Sequence, residues 1–328
     1  MSKQIGYVGI DVGAEELWVS VAGVRPKRFA HTEAGIRGLY QWVVKQAGGT
    51  RVHVCLEATG VYGMHVAFQL VTRPDLTVSV VNPACIAAFA KAQLRRTKTD
   101  QVDAEVIRCY AQSQQPRPWQ PASKNSRQLY ELVAQADILR ESIRQWRNRF
   151  HAYRYIPGLP DTVVKTARST ERSLQRQLKK VEAAIDQLCA GDADLAQKIL
   201  LLETIPGIAR LSAVKLLAYG QQWLTERSGK ALVAHAGLAP HHLQSGTSVR
   251  GKSRIDKRGN DRLRKTLYMP ALVGIVHNPA LQLFYQRLCA NGKPKKLALV
   301  AAMKKLLLIV RAMLINKQPF NPVYQLLT

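Results

Sequence analysis

Apolar and polar positions alternate at the start of the chain. Val8, Ile10 and Val12 are interleaved with Gly9, Asp11 and Gly13. That period of two predicts a short strand with one buried face. Strands are expected over 5–12, 17–23, 27–31, 51–56 and 76–81, and helices over 33–47, 61–72, 84–94 and 99–113. Three early strands on short turns, followed by strand–helix alternation, predict an α/β domain with a mixed sheet. Three prolines in QQPRPWQPAS, residues 114–123, end that unit.

The pattern then changes period. Leu129, Leu132, Ala136, Leu139, Ile143, Trp146, Phe150 and Tyr153 alternate spacings of three and four, a heptad seam. After the turn IPGLPD, Leu174, Leu178, Val181, Ile185 and Leu188 repeat the spacing. An antiparallel helical hairpin or coiled coil is expected, with mostly basic outer faces that include Arg140, Arg144, Arg147, Arg149, Arg168, Arg172, Arg176, Lys179 and Lys180. From about residue 195, LLETIPGIARLSAVKLLAYG places a Pro206–Gly207 turn between two helices. It resembles a helix-hairpin-helix, whose turn and second-helix N–H groups would accept a phosphate. The expected domains are 1–120, 121–192 and 193–328.

Charge narrows the class of partner. The chain has 328 residues, 48 Lys and Arg against 22 Asp and Glu, and a formal net charge of +26. A field of that size attracts polyanions. The bases are spread through predicted elements, which favours a folded protein with several nucleic-acid-facing surfaces. Five isolated cysteines (55, 85, 109, 189 and 289) suggest neither a disulfide framework nor a zinc site. The N-terminus has no long apolar run, so a cytoplasmic protein is expected. The most apolar helix, LALVAAMKKLLLIVRAML, carries Lys304, Lys305 and Arg311 and reads as core, with no membrane partner.

Four acids carry the chemistry. Asp11 lies on the first strand and Glu57 ends the fourth, while Asp100 and Asp103 share one face of a helix at i and i+3. Each has a plain structural alternative: an edge-strand acid facing water, a helix-entry acid, a first-turn acidic pair beside the N-cap Thr99. Together, in a strongly basic protein, they form a like-charge cluster that cations would relieve. Two Mg²⁺ ions roughly 4 Å apart would neutralise it and clamp the attacking and leaving oxygens of a phosphodiester. Acid on strand one, acid on strand four and acids on a late helix is the RNase H-like arrangement.

The sequence also resembles a known family. GIDVG at 9–13, EATGVY at 57–62, NPA at 82–84 and KTDQVDA at 98–104 are similar to the motif series of the DEDD insertion-sequence transposases, the RuvC-like recombinases of bacterial mobile elements. IPGI, AGLAP, SGTSVRGKSRI and LYMPAL extend the likeness into the C-terminal half, and no motif acid departs from the pattern. The resemblance implies a metal tetrad of Asp11, Glu57, Asp100 and Asp103, and a nucleophilic serine at Ser245. It implies strand cleavage, exchange and rejoining through a phosphoserine. It further implies donor and target DNA, a structured guide RNA encoded by the element, a tetramer built as a dimer of dimers, and a place at the nucleoid.

Read on residues alone, Ser245 is one of four close hydroxyls, and loop serines usually make turns. Gly246 and Gly251 permit close backbone approach, and Arg250, Lys252, Arg254, Lys257 and Arg258 could stabilise charge at phosphorus. Arg95, Arg96, Lys98, Gly207 and Arg262 complete the expected nucleic-acid contacts. Three rivals stand. An actin or sugar-kinase ATPase would need a second phosphate loop and a Gly-Gly adenosine motif. A metal nuclease or junction resolvase would use the acids without Ser245. A non-catalytic RNA-binding protein would have no use for the acids.

Overall fold

The computed structural model describes residues 6–94, 99–241, 244–245, 249–250, 254–256 and 258–322. The chain forms two compact units, 1–121 and 122–328.

The first unit is a five-stranded sheet with helices on both faces. Its strands are β1 (Gly6–Val12), β2 (Glu16–Val21), β3 (Lys27–Ala30), β4 (Val52–Glu57) and β5 (Leu76–Val81), in the order β3-β2-β1-β4-β5. β1, β2 and β3 pair antiparallel, while β1, β4 and β5 run parallel. Its helices are α1 (Glu33–Ala47), α2 (Gly60–Val71), α3 (Pro83–Ala92) and α4 (Asp100–Gln114). The alternation anticipated in the sequence sorts the two faces. Val8, Ile10 and Val12 pack with Val54, Leu56, Leu39 of α1 and Val66 of α2 in one core. Cys55 packs with Ile86 of α3 and Val106 and Ile107 of α4 in another. This mixed sheet with a mostly helical second unit is compatible with an RNase H-like fold.

Local chemistry sets the helix starts. Thr32 before α1 and Thr99 before α4 both have extended backbone. The Thr32 hydroxyl accepts from Gly35 N and the Thr99 hydroxyl from Val102 N. Asn82 does the same for α3, with Pro83 in its first turn.

The second unit opens with two long helices, α5 (Lys124–Tyr153) and α6 (Asp161–Ala190). Cross-helix pairs Arg140–Glu182 and Arg147–Glu171, and the bond from Asn125 to Asp192 just past α6, show that they run antiparallel. In the apolar seam Leu129, Ala136, Leu139 and Ile143 are buried and Leu132 is half-buried; beyond them Trp146 and Phe150 are half-buried, with Arg149 and Arg168 over their rings. There follow α7 (Ala193–Glu203), α8 (Arg210–Gly220), α9 (Trp223–Glu226), α10 (Gly229–His235), α11 (Asp261–His277), α12 (Pro279–Ala290) and α13 (Lys295–Asn316). Leu129, Val133 and Ile185 of the hairpin share one core with Ile199, Leu216, Leu267 and Leu306. Residues on both sides of position 192 therefore pack in a single core. α13 contributes nine buried side chains to it, and among the described residues no helix is long and apolar enough to cross a membrane.

Candidate active site

The parallel register of β1 and β4 brings two acids to one face. Gly9 pairs with Cys55 and Ile10 with Leu56. Asp11 and Glu57 lie two residues beyond Gly9 and Cys55, so alternation turns both towards the face that carries α4. Gly9 explains how close α4 comes. A Cβ there would overlap Ala104 O and Arg108 N of the helix. Only hydrogen fits, so α4 lies directly on β1 at Ala104–Arg108, the turn that follows Asp100 and Asp103.

Electrostatics couples the four acids. The Asp11 carboxyl is raised from 3.8 to about 6, first by burial, then by the negative charges of Asp103, Asp100 and Glu57. The opposing influence is one backbone hydrogen bond, from Val12. Among the described residues no group of three or more His, Cys, Asp or Glu is drawn to coordination distance of a common point. The donor set still fits a hard divalent cation: four carboxylates, oxygen only, three of which oppose the ionisation of Asp11.

A histidine chain, which no sequence pattern announced, lies at the same end of β1. His31 Nδ1 is 2.8 Å from Gly13 O, and His31 Nε2 is 3.1 Å from His65 Nδ1 on α2. The carbonyl can only accept, so Nδ1 of His31 carries a proton, and with a neutral ring Nε2 is left to accept from His65. Tyr62 meets the His31 ring edge-on at 5.8 Å.

The comparisons with known proteins bear on both units. A DEDD transposase family model matches residues 8–153, which include all four acids, and a transposase family model named for IS116, IS110 and IS902 matches residues 200–286. The chain is 32% identical over 333 residues to a pilin gene-inverting protein of Moraxella bovis, covering 98% of each. The chain belongs to the IS110 family of transposases. A Moraxella lacunata pilin gene-inverting protein is again 32% identical, with 98% of each chain covered. An uncharacterised 43.6 kDa protein of insertion element IS110 from Streptomyces coelicolor is 28% identical over 157 residues, 48% of this chain and 38% of that one. Membership makes this an enzyme that cleaves and rejoins DNA, and the DEDD acids of the family point to divalent metal dependence.

In the transposase's second unit, Ser245 ends β7 (Gln244–Ser245), which pairs antiparallel with β8 (Val249–Arg250), Ser245 opposite Val249. A second short pair, β6 (Pro240–His241) and β9 (Arg254–Ile255), flanks it in sequence on both sides. The chain entering and leaving this segment is tightly fixed. Asp256 N donates to Ala239 O, Asn260 N to His235 O, and Asn260 Nδ2 to Tyr219 O. A Cβ on Gly259 would overlap His235 O and Gly237 N.

Several expected nucleic-acid contacts have partners within the protein. Arg258 makes a bidentate pair with Asp256, both bonds at 2.9 Å. The Arg262 guanidinium lies 5.7 Å from the ring centres of both Tyr130 and Tyr219. Gly207, at φ +103°, packs its Cα against Pro270 O and Gly274 of α11, so close backbone packing alone demands glycine there. Arg250 and Arg254 lie on the short strands, whereas Arg95, Arg96, Lys98, Lys252 and Lys257 fall outside the described residues.

Within the same unit, Asp137 of α5 is the hub of a polar network. It accepts from Lys215 at 2.6 Å, Tyr219 Oη at 2.8 Å and Arg140 at 3.1 Å. Burial works against its charge, but the Lys215 and Tyr219 hydrogen bonds and both cations hold its carboxyl below the ordinary range.

Proposed function

We propose that the transposase cuts and rejoins DNA with a divalent metal centre on Asp11, Glu57, Asp100 and Asp103 and a nucleophile at Ser245. The convergence of three carboxylates on Asp11 carries this reading. Those four residues would hold Mg²⁺, two ions filling the oxygen-rich site. Bound there, the metal would supply Lewis-acid stabilisation of the charge that builds on phosphate oxygens.

The chain's own part in the reaction is covalent. The Ser245 Oγ bonds to phosphorus as the phosphorus–deoxyribose oxygen bond breaks. The serine proton is lost to a base or water, and the departing oxygen takes up a proton to become a free hydroxyl. Attack on that ester by a second deoxyribose hydroxyl returns the serine, and no ATP is needed. The segment's anchoring by Asp256 and Asn260 suits a nucleophile that must return to one geometry through both steps. A structured guide RNA, donor and target DNA, and a dimer of dimers complete the proposal, at the nucleoid. Inverting a gene, the act for which the Moraxella relative is named, likewise calls for cutting DNA and rejoining it.

A metal nuclease or junction resolvase is the second reading. The matches to residues 200–286 and to a relative along 98% of the chain favour recombination. One experiment separates them. Incubation with labelled substrate DNA and Mg²⁺, then denaturation, should trap a protein–DNA adduct at Ser245 that Ser245→Ala lacks. Cleavage by Ser245→Ala at the wild-type rate, with no adduct in either protein, would sink the recombinase chemistry.

A further inference from the structure

The charges of the helical hairpin are sorted by face. Arg140 pairs with Asp137 and Glu182, Arg144 with Glu141, and Arg147 with Glu171. On α6, Glu171 and Glu182 turn to α5, and Asp186 turns to Arg210 of α8. The opposite ridge of α6 is different. Lys165, Arg168, Arg172, Arg176 and Lys179 are all exposed, with Ser169 and Gln175 between them, and line an open groove of about 720 Å³. None has a carboxylate partner among the described residues.

Their spacing of three, four, four and three keeps them on one side of the helix. Fourteen residues at 1.5 Å each make a straight cationic line of about 21 Å. An ordinary solvated helix face mixes signs, because like charges at i,i+3 and i,i+4 oppose helix formation. This ridge keeps four such repulsive pairs while Glu171, Glu182 and Asp186 of the same helix are engaged elsewhere; the remaining acid, Asp161, lies in the first turn ahead of the ridge. A ligand that brings the negative charge resolves that.

We propose that the α6 ridge is a sequence-independent track for the phosphate backbone of double-stranded DNA. This rests on the transposase reading and adds a surface to it. The groove lining holds no aromatic ring on which an unpaired base could stack, which argues against single strands. Its cations and hydroxyl suit phosphates and carry no base code, so the ridge positions DNA without selecting sequence. About 21 Å of duplex presents on the order of a dozen phosphates, enough to meet all five side chains from one side.

The test is the salt dependence of binding by the full chain. A duplex of random sequence is titrated by fluorescence anisotropy from 50 to 300 mM salt, and an RNA duplex of equal length is run beside it. In a variant with Lys165, Arg168, Arg172, Arg176 and Lys179 all changed to Gln, the slope of log K against log salt should become shallower by about 4.5, at roughly 0.9 for each phosphate no longer neutralised. Arg144→Gln, which removes an already paired cation, should change it by less than about one. The double variants R168Q/R172Q and R176Q/K179Q should each make the slope shallower by about two, which keeps the proposal testable if the fivefold variant does not fold, and replacing the three arginines by Lys, which keeps the charge, should keep the slope. A fivefold variant that folds, by circular dichroism, and keeps the wild-type slope would overturn the ridge. So would a steep loss in the lysine variant. Loss confined to the RNA duplex would overturn the DNA assignment. Failure of the wild-type protein itself to bind DNA would overturn the transposase reading instead.

Discussion

Asp11 and Asp137 are both partly buried aspartates, and the two units treat them oppositely. Asp11 sits among three other carboxylates and is pushed up to about 6. Asp137 has Lys215, Tyr219 and Arg140 around it and is held below the ordinary range. A carboxylate that serves the fold receives its donors from the fold. One that serves a ligand is left waiting for the ligand's charge. Under the proposed function, the difference separates a structural acid, Asp137, from one held for a metal, Asp11.

The strongest way to break that comparison is to neutralise each acid in turn. Asp11→Asn should reduce strand cleavage by at least about a thousandfold, roughly 4 kcal/mol of transition-state stabilisation, while leaving the protein folded. Cleavage assays with Mg²⁺ and with EDTA read this directly; cleavage in EDTA at full rate would refute metal dependence. Asp137→Asn should do the reverse. It leaves Lys215 without its carboxylate and Arg140 with Glu182 alone, and the second unit should lose about 2–3 kcal/mol in urea unfolding.

His235 sharpens the contrast within the second unit. Burial lowers its pKa from 6.5 to about 4, and its ring stacks on Trp223 at 4.1 Å with the planes 2° apart. A depressed folded pKa means the unfolded chain binds the proton more readily. Stability is therefore full above pH 6.5 and declines as pH falls towards 4. With partial exposure discounted, the loss should be about 1–2 kcal/mol, and His235→Phe should flatten that part of the profile in thermal melts. The smallest effect is the most diagnostic. Without metal at pH 7.5, Asp11→Asn should stabilise the first unit by about 1 kcal/mol, because it removes an ionised group from a repulsive cluster. A fall in melting temperature would show that the Asp11 charge is satisfied within the protein.

The first unit was legible because its signals are local. Alternation gave the strand faces, and the predicted helix at 33–47 coincides with α1. The Thr99 cap and the i,i+3 spacing of Asp100 and Asp103 needed only neighbouring residues. The acid cluster followed because strand ends and one helix face were readable. The second unit's engagements were not. Arg262 between two tyrosines, Arg258 on Asp256 and the sorting of hairpin charges all join residues chosen by tertiary packing, with no local pattern to announce them. The His31–His65 chain, 34 positions apart, was silent for the same reason.

The bare Cα of Gly9 has one further consequence. Backbone of strand and helix touch there without any side chain between them. The bite of the acidic site is therefore gauged by the main chain, and the carboxylates inherit it. Lengthening or shortening an acid tunes reach only; changing the jaw itself means replacing a hydrogen with a methyl at position 9. On the proposed metal reading, Gly9→Ala would prise α4 from β1 at Ala104 and Arg108 while every acid stayed in the sequence, so the four acids would be present without the spacing a metal needs.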